Sequence, residues 1–162
     1  MNLRKSLGGM LLLALFLPGA AGATPFVGIK LAPLEIEGPE PDDPLNLALN
    51  FGYALDSWIA DLSLVAELNY TIEEGRTTQG EDLELNAHAV YLSWKTTRSM
   101  YVGLRVGAVQ NEIVRGRNSD YKTGPFISAS VGQVIGRTRL VIEYTSLAGD
   151  ARFYGISLEF DF

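Results

Sequence analysis

Phe153-Tyr154-Gly155-Ile156-Ser157-Leu158-Glu159-Phe160-Asp161-Phe162 is the stretch that decides the fold. Large apolar side chains take every even place from Tyr154 to Phe162, and small or acidic ones take the odd places from Gly155 to Asp161. Successive side chains of a β-strand point to opposite faces, so this is a strand with one oily and one polar face. The same alternation runs through Trp58 to Glu73. There Leu62, Leu64, Ala66, Leu68, Tyr70 and Ile72 oppose Asp61, Ser63, Glu67, Asn69, Thr71 and Glu73, with Val65 the exception.

Turn chemistry divides the remainder into similar segments: Phe26 to Glu37, Leu45 to Leu55, Leu83 to Lys95, Met100 to Val114, Gly124 to Ile135 and Arg139 to Ser146. With the two above, that makes eight strands. Connections at Asp56-Ser57, Thr96 to Ser99 and Gly136 to Thr138 are short. Those at Gly38 to Pro44, Glu74 to Asp82, Arg115 to Thr123 and Leu147 to Arg152 are longer and polar. Two segments change phase. In the first, apolar residues are odd through Leu31 and even at Leu34 and Ile36, which predicts a bulge at Pro33. The fourth shifts from Ala87 and Ala89 to Leu92 and Trp94, with no residue that explains it.

The opposite end of the chain reads as an export signal. Arg4 and Lys5 precede the apolar run Leu7 to Leu17, and Ala21-Gly22-Ala23 offers small residues to a signal peptidase. Cleavage after Ala23 is expected, leaving 24–162 as one domain. Beyond Ala23 no apolar run reaches the ~18 residues of a spanning helix, so any crossing is by strands. The chain has no cysteine, which excludes disulfides and thiolate metal sites. Its formal charge of −6 argues against nucleic acid as a partner.

Three features turn the oily face outward, against a soluble lipocalin-like barrel. The polar face is rich in small residues (Gly28, Gly52, Gly103, Gly107, Ser128, Ser130, Gly132, Gly155, Ser157), as a narrow eight-strand interior requires. Aromatic residues gather near strand ends: Tyr53, Trp58, Trp94, Tyr101, Phe160 and Phe162 at one, Tyr70, Tyr121, Phe126 and Tyr154 at the other, with Tyr101 and Phe126 at inward places of their strands. No ionisable residue interrupts the oily face in the centre of the second, third and eighth strands. The expected fold is an all-β, eight-stranded antiparallel up-and-down transmembrane β-barrel.

The chain resembles the small eight-stranded outer-membrane proteins of the OmpA-transmembrane-domain and OmpX type over essentially all of Thr24 to Phe162. Gly155, Leu158, Phe160 and Phe162 resemble the terminal-strand signal of that family, though Phe153 replaces its usual polar residue two places before the glycine. The resemblance implies residence in the outer membrane of a Gram-negative bacterium with both termini periplasmic. It also implies periplasmic chaperones and the barrel assembly machinery as partners during biogenesis, with outer-membrane lipids and lipopolysaccharide around the finished barrel.

Lumen positions predict a polar network of Lys30, Asp61, Glu67, Glu84, His88, Arg105, Arg139, Glu143 and Glu159, with Glu35 also inward and acids in excess. Paired charges that plug the lumen are the expected reading, and an ion path is the alternative. His88 is the sole histidine. Lipid A deacylases of similar size carry Ser two residues after His, whereas here that place is Val90, so catalysis is not expected. Arg115, Arg117 and Lys122 are candidates for contact with lipopolysaccharide phosphates. No motif calls for a cofactor or metal. The expected role is structural or surface-interacting, with a lipid A-modifying enzyme, a narrow pore and an adhesin as alternatives.

Overall fold

The computed structural model describes residues 24–36, 42–55, 61–96, 98–149 and 151–162. Residues 1–23, Trp58, the Asp56-Ser57 turn and most of the Gly38 to Pro44 connection lie outside them. The strands are β1 (Thr24–Ile36), β2 (Leu45–Leu55), β3 (Asp61–Glu73), β4 (Gly75–Arg76), β5 (Asp82–Lys95), β6 (Met100–Arg115), β7 (Asn118–Ile135), β8 (Thr138–Leu147) and β9 (Ala151–Asp161). Chain neighbours pair antiparallel, β3 pairs β5 directly, and β1 pairs β9. Eight long strands thus close into a barrel without an open edge along its body. The short β4 extends β5 at one rim, where Asp42 bridges to Arg76 and ties the first connection to the second.

One expected loop is mostly strand. β6 runs to Arg115 and β7 starts at Asn118, so Arg115 to Thr123 is a ribbon turning at Gly116-Arg117. Gly116 takes φ +56°, a left-handed conformation that glycine adopts without penalty. The turn between β8 and β9 is likewise shorter than the sequence suggests. A ribbon standing in water needs no oily face, so its residues carry no period-two hydropathy signal.

The predicted bulge at Pro33 does not occur. Even places of β1 face inward without a break from Phe26 to Ile36, and its register with β9 is unchanged between Leu31↔Ile156 and Leu34↔Phe153. β5 also keeps one phase, with odd places inward from Leu83 to Lys95. A register shift does occur between Leu45 and Asn46, where β2 meets β3.

What changes along the axis is the content of the lumen. Toward the short turns the interior is polar and charged. Toward the loop end it is an apolar core of Leu34, Ile36, Leu83, Leu85, Val109, Ile113, Phe126, Leu147 and Phe153. The outer wall inverts with it. Ile29, Leu31, Leu92, Val102, Leu104, Val131, Ile142 and Ile156 form an exposed oily band. Beyond that band Glu35, Glu84, Asn86, His88, Gln110 and Glu112 face out.

Lumen glycines admit close neighbours rather than leave space: aromatic rings at Gly52 and Gly132, and the β5 backbone at Gly107. Phe26 lies opposite Gly52, Tyr91 opposite Gly107 and Tyr101 opposite Gly132. A Cβ on any of these glycines would run into the facing residue.

Candidate functional site

The polar half of the lumen holds one connected ion network. Lys30 of β1 donates from Nζ to Glu67 Oε1 at 2.6 Å and to Glu143 Oε1 at 2.7 Å. Arg105 of β6 donates to Glu143, and to Glu159 Oε1 at 2.8 Å. Lys95 donates to Glu159 Oε2 at 2.6 Å, and Arg139 Nε to the same oxygen at 3.0 Å. Arg139 also reaches Asp161 Oδ1 at 2.5 Å. Six strands contribute, so the network ties together parts of the wall that are not adjacent.

Its charges balance: Lys30, Lys95, Arg105 and Arg139 face Glu67, Glu143, Glu159 and Asp161. Isolated burial of any of these would be costly, whereas paired and hydrogen-bonded they can persist. The expected acid excess came from placing Glu35, Asp61 and Glu84 inside and missing Lys95. Glu35 and Asp61 are exposed, and Glu84 lies at an outward place of β5. His88 is outward too. Its Nε2 lies 3.1 Å from the Tyr70 hydroxyl on the outer wall, and the two rings meet edge-on. Reading Ala87 and Ala89 as lipid-facing caused the Glu84 and His88 errors; both alanines are buried lumen residues. Lys95 was legible, because it alternates with outward Trp94.

Tyr91 joins the two halves of the lumen. Its hydroxyl donates to Glu67 Oε2 at 3.0 Å, and its ring stacks on Phe126 at 4.4 Å and 2°. The Arg105 guanidinium lies over the same ring, and Lys95 and Arg139 lie over Phe26. Exposure of side chains falls from 33% at Asp161 and 13% at Arg139 to 0% at Lys30, so the short-turn mouth is the wetter one. Asn50, Ser93, Ser128, Ser130 and Ser157 hold buried polar atoms without a protein partner, and Asn69 and Asn111 hold one each beside the apolar core. Such atoms call for internal water. Among the described residues no cluster of three or more metal-ligating side chains occurs.

The other sequence candidates fall at the two ends. Gly155 is buried under the Lys30 stem, and Leu158, Phe160 and Phe162 point outward. Tyr101 and Phe126 are inside the barrel, as the parity of their strands implies, and do not belong to the aromatic belts, whereas Tyr144 joins Tyr154 at the loop-end belt, 5.2 Å between rings. Arg115, Arg117 and Lys122 sit together on the β6–β7 ribbon, Arg115 half-buried and the other two exposed.

No family model and no curated protein matches the sequence. Solved structures do match the fold. Neisserial surface protein A superposes with a TM-score of 0.58 at 13% identity, over 90% of this chain and 100% of that one. Ail, the attachment invasion locus protein of Yersinia pestis, in complex with the heparin analogue sucrose octasulfate, gives 0.56 at 13% over 86% and 97%. The N-terminal β-barrel domain of Pseudomonas aeruginosa OprF gives 0.51 at 11% over 85% and 97%. The chain has the fold of the small eight-stranded outer-membrane barrels. At these identities the likeness speaks for the small-barrel architecture alone.

Proposed function

We propose that this chain is an integral outer-membrane barrel of a Gram-negative bacterium, a closed structural insert that presents a surface for contact at its loop end. The observation that carries this is the continuous belt of exposed Leu, Ile, Val and aromatic side chains around a lumen of paired charges. A water-soluble protein would not leave such a belt uncovered, and a strand wall can meet lipid only when closed. Residues 1–23 are the export signal removed after Ala23. Both termini remain periplasmic, and Gly155, Leu158, Phe160 and Phe162 present the assembly machinery with its signal. The lumen neither conducts nor catalyses: ion pairs fill one half and an apolar core fills the other. Arg115, Arg117 and Lys122 contact phosphates of lipopolysaccharide.

Outer-membrane fractionation with heat-modifiable gel mobility tests the main reading. Nitroxides at Leu64 and Glu67 should report hydrocarbon and protein interior respectively. A mature product that stays soluble without detergent, or exchanged environments at the two probes, would overturn it. Alanine at Arg115, Arg117 and Lys122 together should weaken lipopolysaccharide binding; unchanged binding removes that contact.

A further inference from the structure

We infer that the outer wall holds acyl chains of one lipid A molecule in a fixed berth, two grooves astride a ridge on β9. The larger groove is about 710 Å3 and lies across β5 to β9. Its floor is Ala129. Outward residues pair there in an unbroken row: Trp94 with Leu104, Leu104 with Ala129, Ala129 with Tyr144 and Tyr144 with Tyr154. All but Ala129 are large. Ala129 stops at its Cβ, while Ile127 and Val131 stand on either side of it along β7, both more than half exposed. The row therefore sinks in the middle.

The smaller groove, about 520 Å3, lies on β1, β2 and β9. Pro33 lines it, so the proline that makes no bulge has a place in the outer surface. Tyr154 and Ile156 line both grooves and are 54% and 58% exposed. They form the ridge between the two. Glu143 is the one charged residue lining either groove, and its carboxylate is fully buried in the lumen pairs. Burial of apolar area is therefore what an occupant gains there, and its chemistry is hydrocarbon.

Length and direction select the occupant. Strand neighbours lie about 4.8 Å apart, so the row from Tyr154 to Trp94 is about 19 Å long. One leaflet of a bilayer holds about 15 Å of hydrocarbon, which is the reach of an acyl chain. The row runs from the loop-end belt, at Tyr144 and Tyr154, to the short-turn belt at Trp94. Tyrosine hydroxyls belong at the headgroup level, so a chain enters beside the two tyrosines and ends toward Trp94. The second groove opens beside the same Tyr154. Chains that share a headgroup fill both together, and the second then binds at high effective concentration. The inference rests on the outer-membrane reading above: with the loop end outward, the lipid that enters there is the lipid A of lipopolysaccharide.

Bromine quenching of Trp94 fluorescence tests it. Trp58→Phe leaves Trp94 as the sole tryptophan. In that background the refolded chain is placed in vesicles of phosphatidylethanolamine brominated near its chain ends, which quenches Trp94 from the groove. Unbrominated lipid A or unbrominated phosphatidylethanolamine is then titrated in. Lipid A should restore the fluorescence at a mole fraction about ten-fold or more below that needed for phosphatidylethanolamine. Ala129→Phe fills the floor and should make the two lipids equal, and Ala129→Leu should narrow the gap. Ala108→Phe adds the same ring to an exposed place of the wall outside both grooves and should leave the preference intact. Heat-modifiable mobility of each variant reports the barrel separately, so failure of the outer-membrane reading is distinguishable from failure of the berth. Equal titrations in the wild type, or a preference that survives Ala129→Phe, overturns the inference. So does a Trp94 that no brominated lipid reaches because a second copy covers the groove.

Discussion

Lys30→Met isolates the energetics of the lumen. Lys30 is fully buried and donates to two carboxylates, at 2.6 and 2.7 Å. Met has nearly its length and no charge, so packing is largely kept while the balanced network becomes net negative. Glu143 retains Arg105 and Glu67 retains the Tyr91 hydroxyl, so neither carboxylate is abandoned. Removing one partner of a buried ion pair costs about 3–5 kcal/mol, and that is the expected loss. The double variant Lys30→Met/Glu67→Gln restores neutrality and leaves Gln able to accept from Tyr91. It should recover about half the loss or more, a coupling of about 1–3 kcal/mol. Reversible urea unfolding in lipid vesicles, followed by tryptophan fluorescence, measures both, provided the slope with urea is unchanged. If Lys30→Met lies within about 0.5 kcal/mol of wild type, or the two changes add without coupling, the network does not stabilise the barrel as argued.

Other consequences follow from single features. Gly107→Ala places a Cβ against the Val90 carbonyl and the Cα and Cβ of Tyr91 and should cost about 1–3 kcal/mol in the same assay; a neutral result would mean the β5 backbone can move aside. Planar-bilayer recording of refolded protein should show no discrete openings, since the apolar core seals the loop end; steady openings would contradict the sealed lumen. On the outer wall, His88→Ala should leave lipid A acylation unchanged by mass spectrometry, because no serine follows the imidazole at the required place; an altered pattern would revive the enzyme reading. Asp43 is raised above the ordinary aspartate value, first by partial burial and then by Glu35 and Asp42. A raised acid is a charged form under strain, so acidification through its midpoint relieves the first connection rather than loosening it. An NMR titration of Asp43 with a midpoint at or below the ordinary value would refute that.

The barrel was legible wherever strands cross the oily band, because there the two faces differ in kind and period two is loud. Asp61 to Glu73 and Phe153 to Phe162 are read with the parity they have. Legibility failed where the environment changes along a strand. Leu34 and Ile36 look like a slip in phase only if oily side chains must face lipid. Ala87 and Ala89 mislead for the same reason, and they carried Glu84 and His88 into the lumen by mistake. The β6–β7 ribbon was missed because both of its faces meet water. Among the lumen ions, Lys30, Glu67, Arg105, Arg139, Glu143 and Glu159 were all at readable places. Their pairing was not readable, since it depends on which strands face one another across a closed ring.

The two apparent phase slips therefore locate the membrane. In the band, lipid solvates the outer wall and the lumen must satisfy polar groups by itself. Above it, water solvates the outer wall, and the lumen becomes an ordinary apolar core. One strand can serve both zones without a bulge, because its parity stays fixed while its two faces exchange composition. On β1 the outer face changes from Leu31 to Glu35, as the inner face changes from Lys30 to Leu34. On β5 the outer change falls between Val90 and His88, with Tyr91 facing in beside them. Tyr91 can stand at that level because its ring belongs to the apolar core and its hydroxyl to the ion network. Lipid-facing and water-facing halves of one barrel are thus set by sequence on each strand separately, and they agree in height only when the strands are in the observed register. A shift of one residue in any pairing would flip that strand's faces and bring charge into hydrocarbon, which is why the inversion itself helps to hold the register.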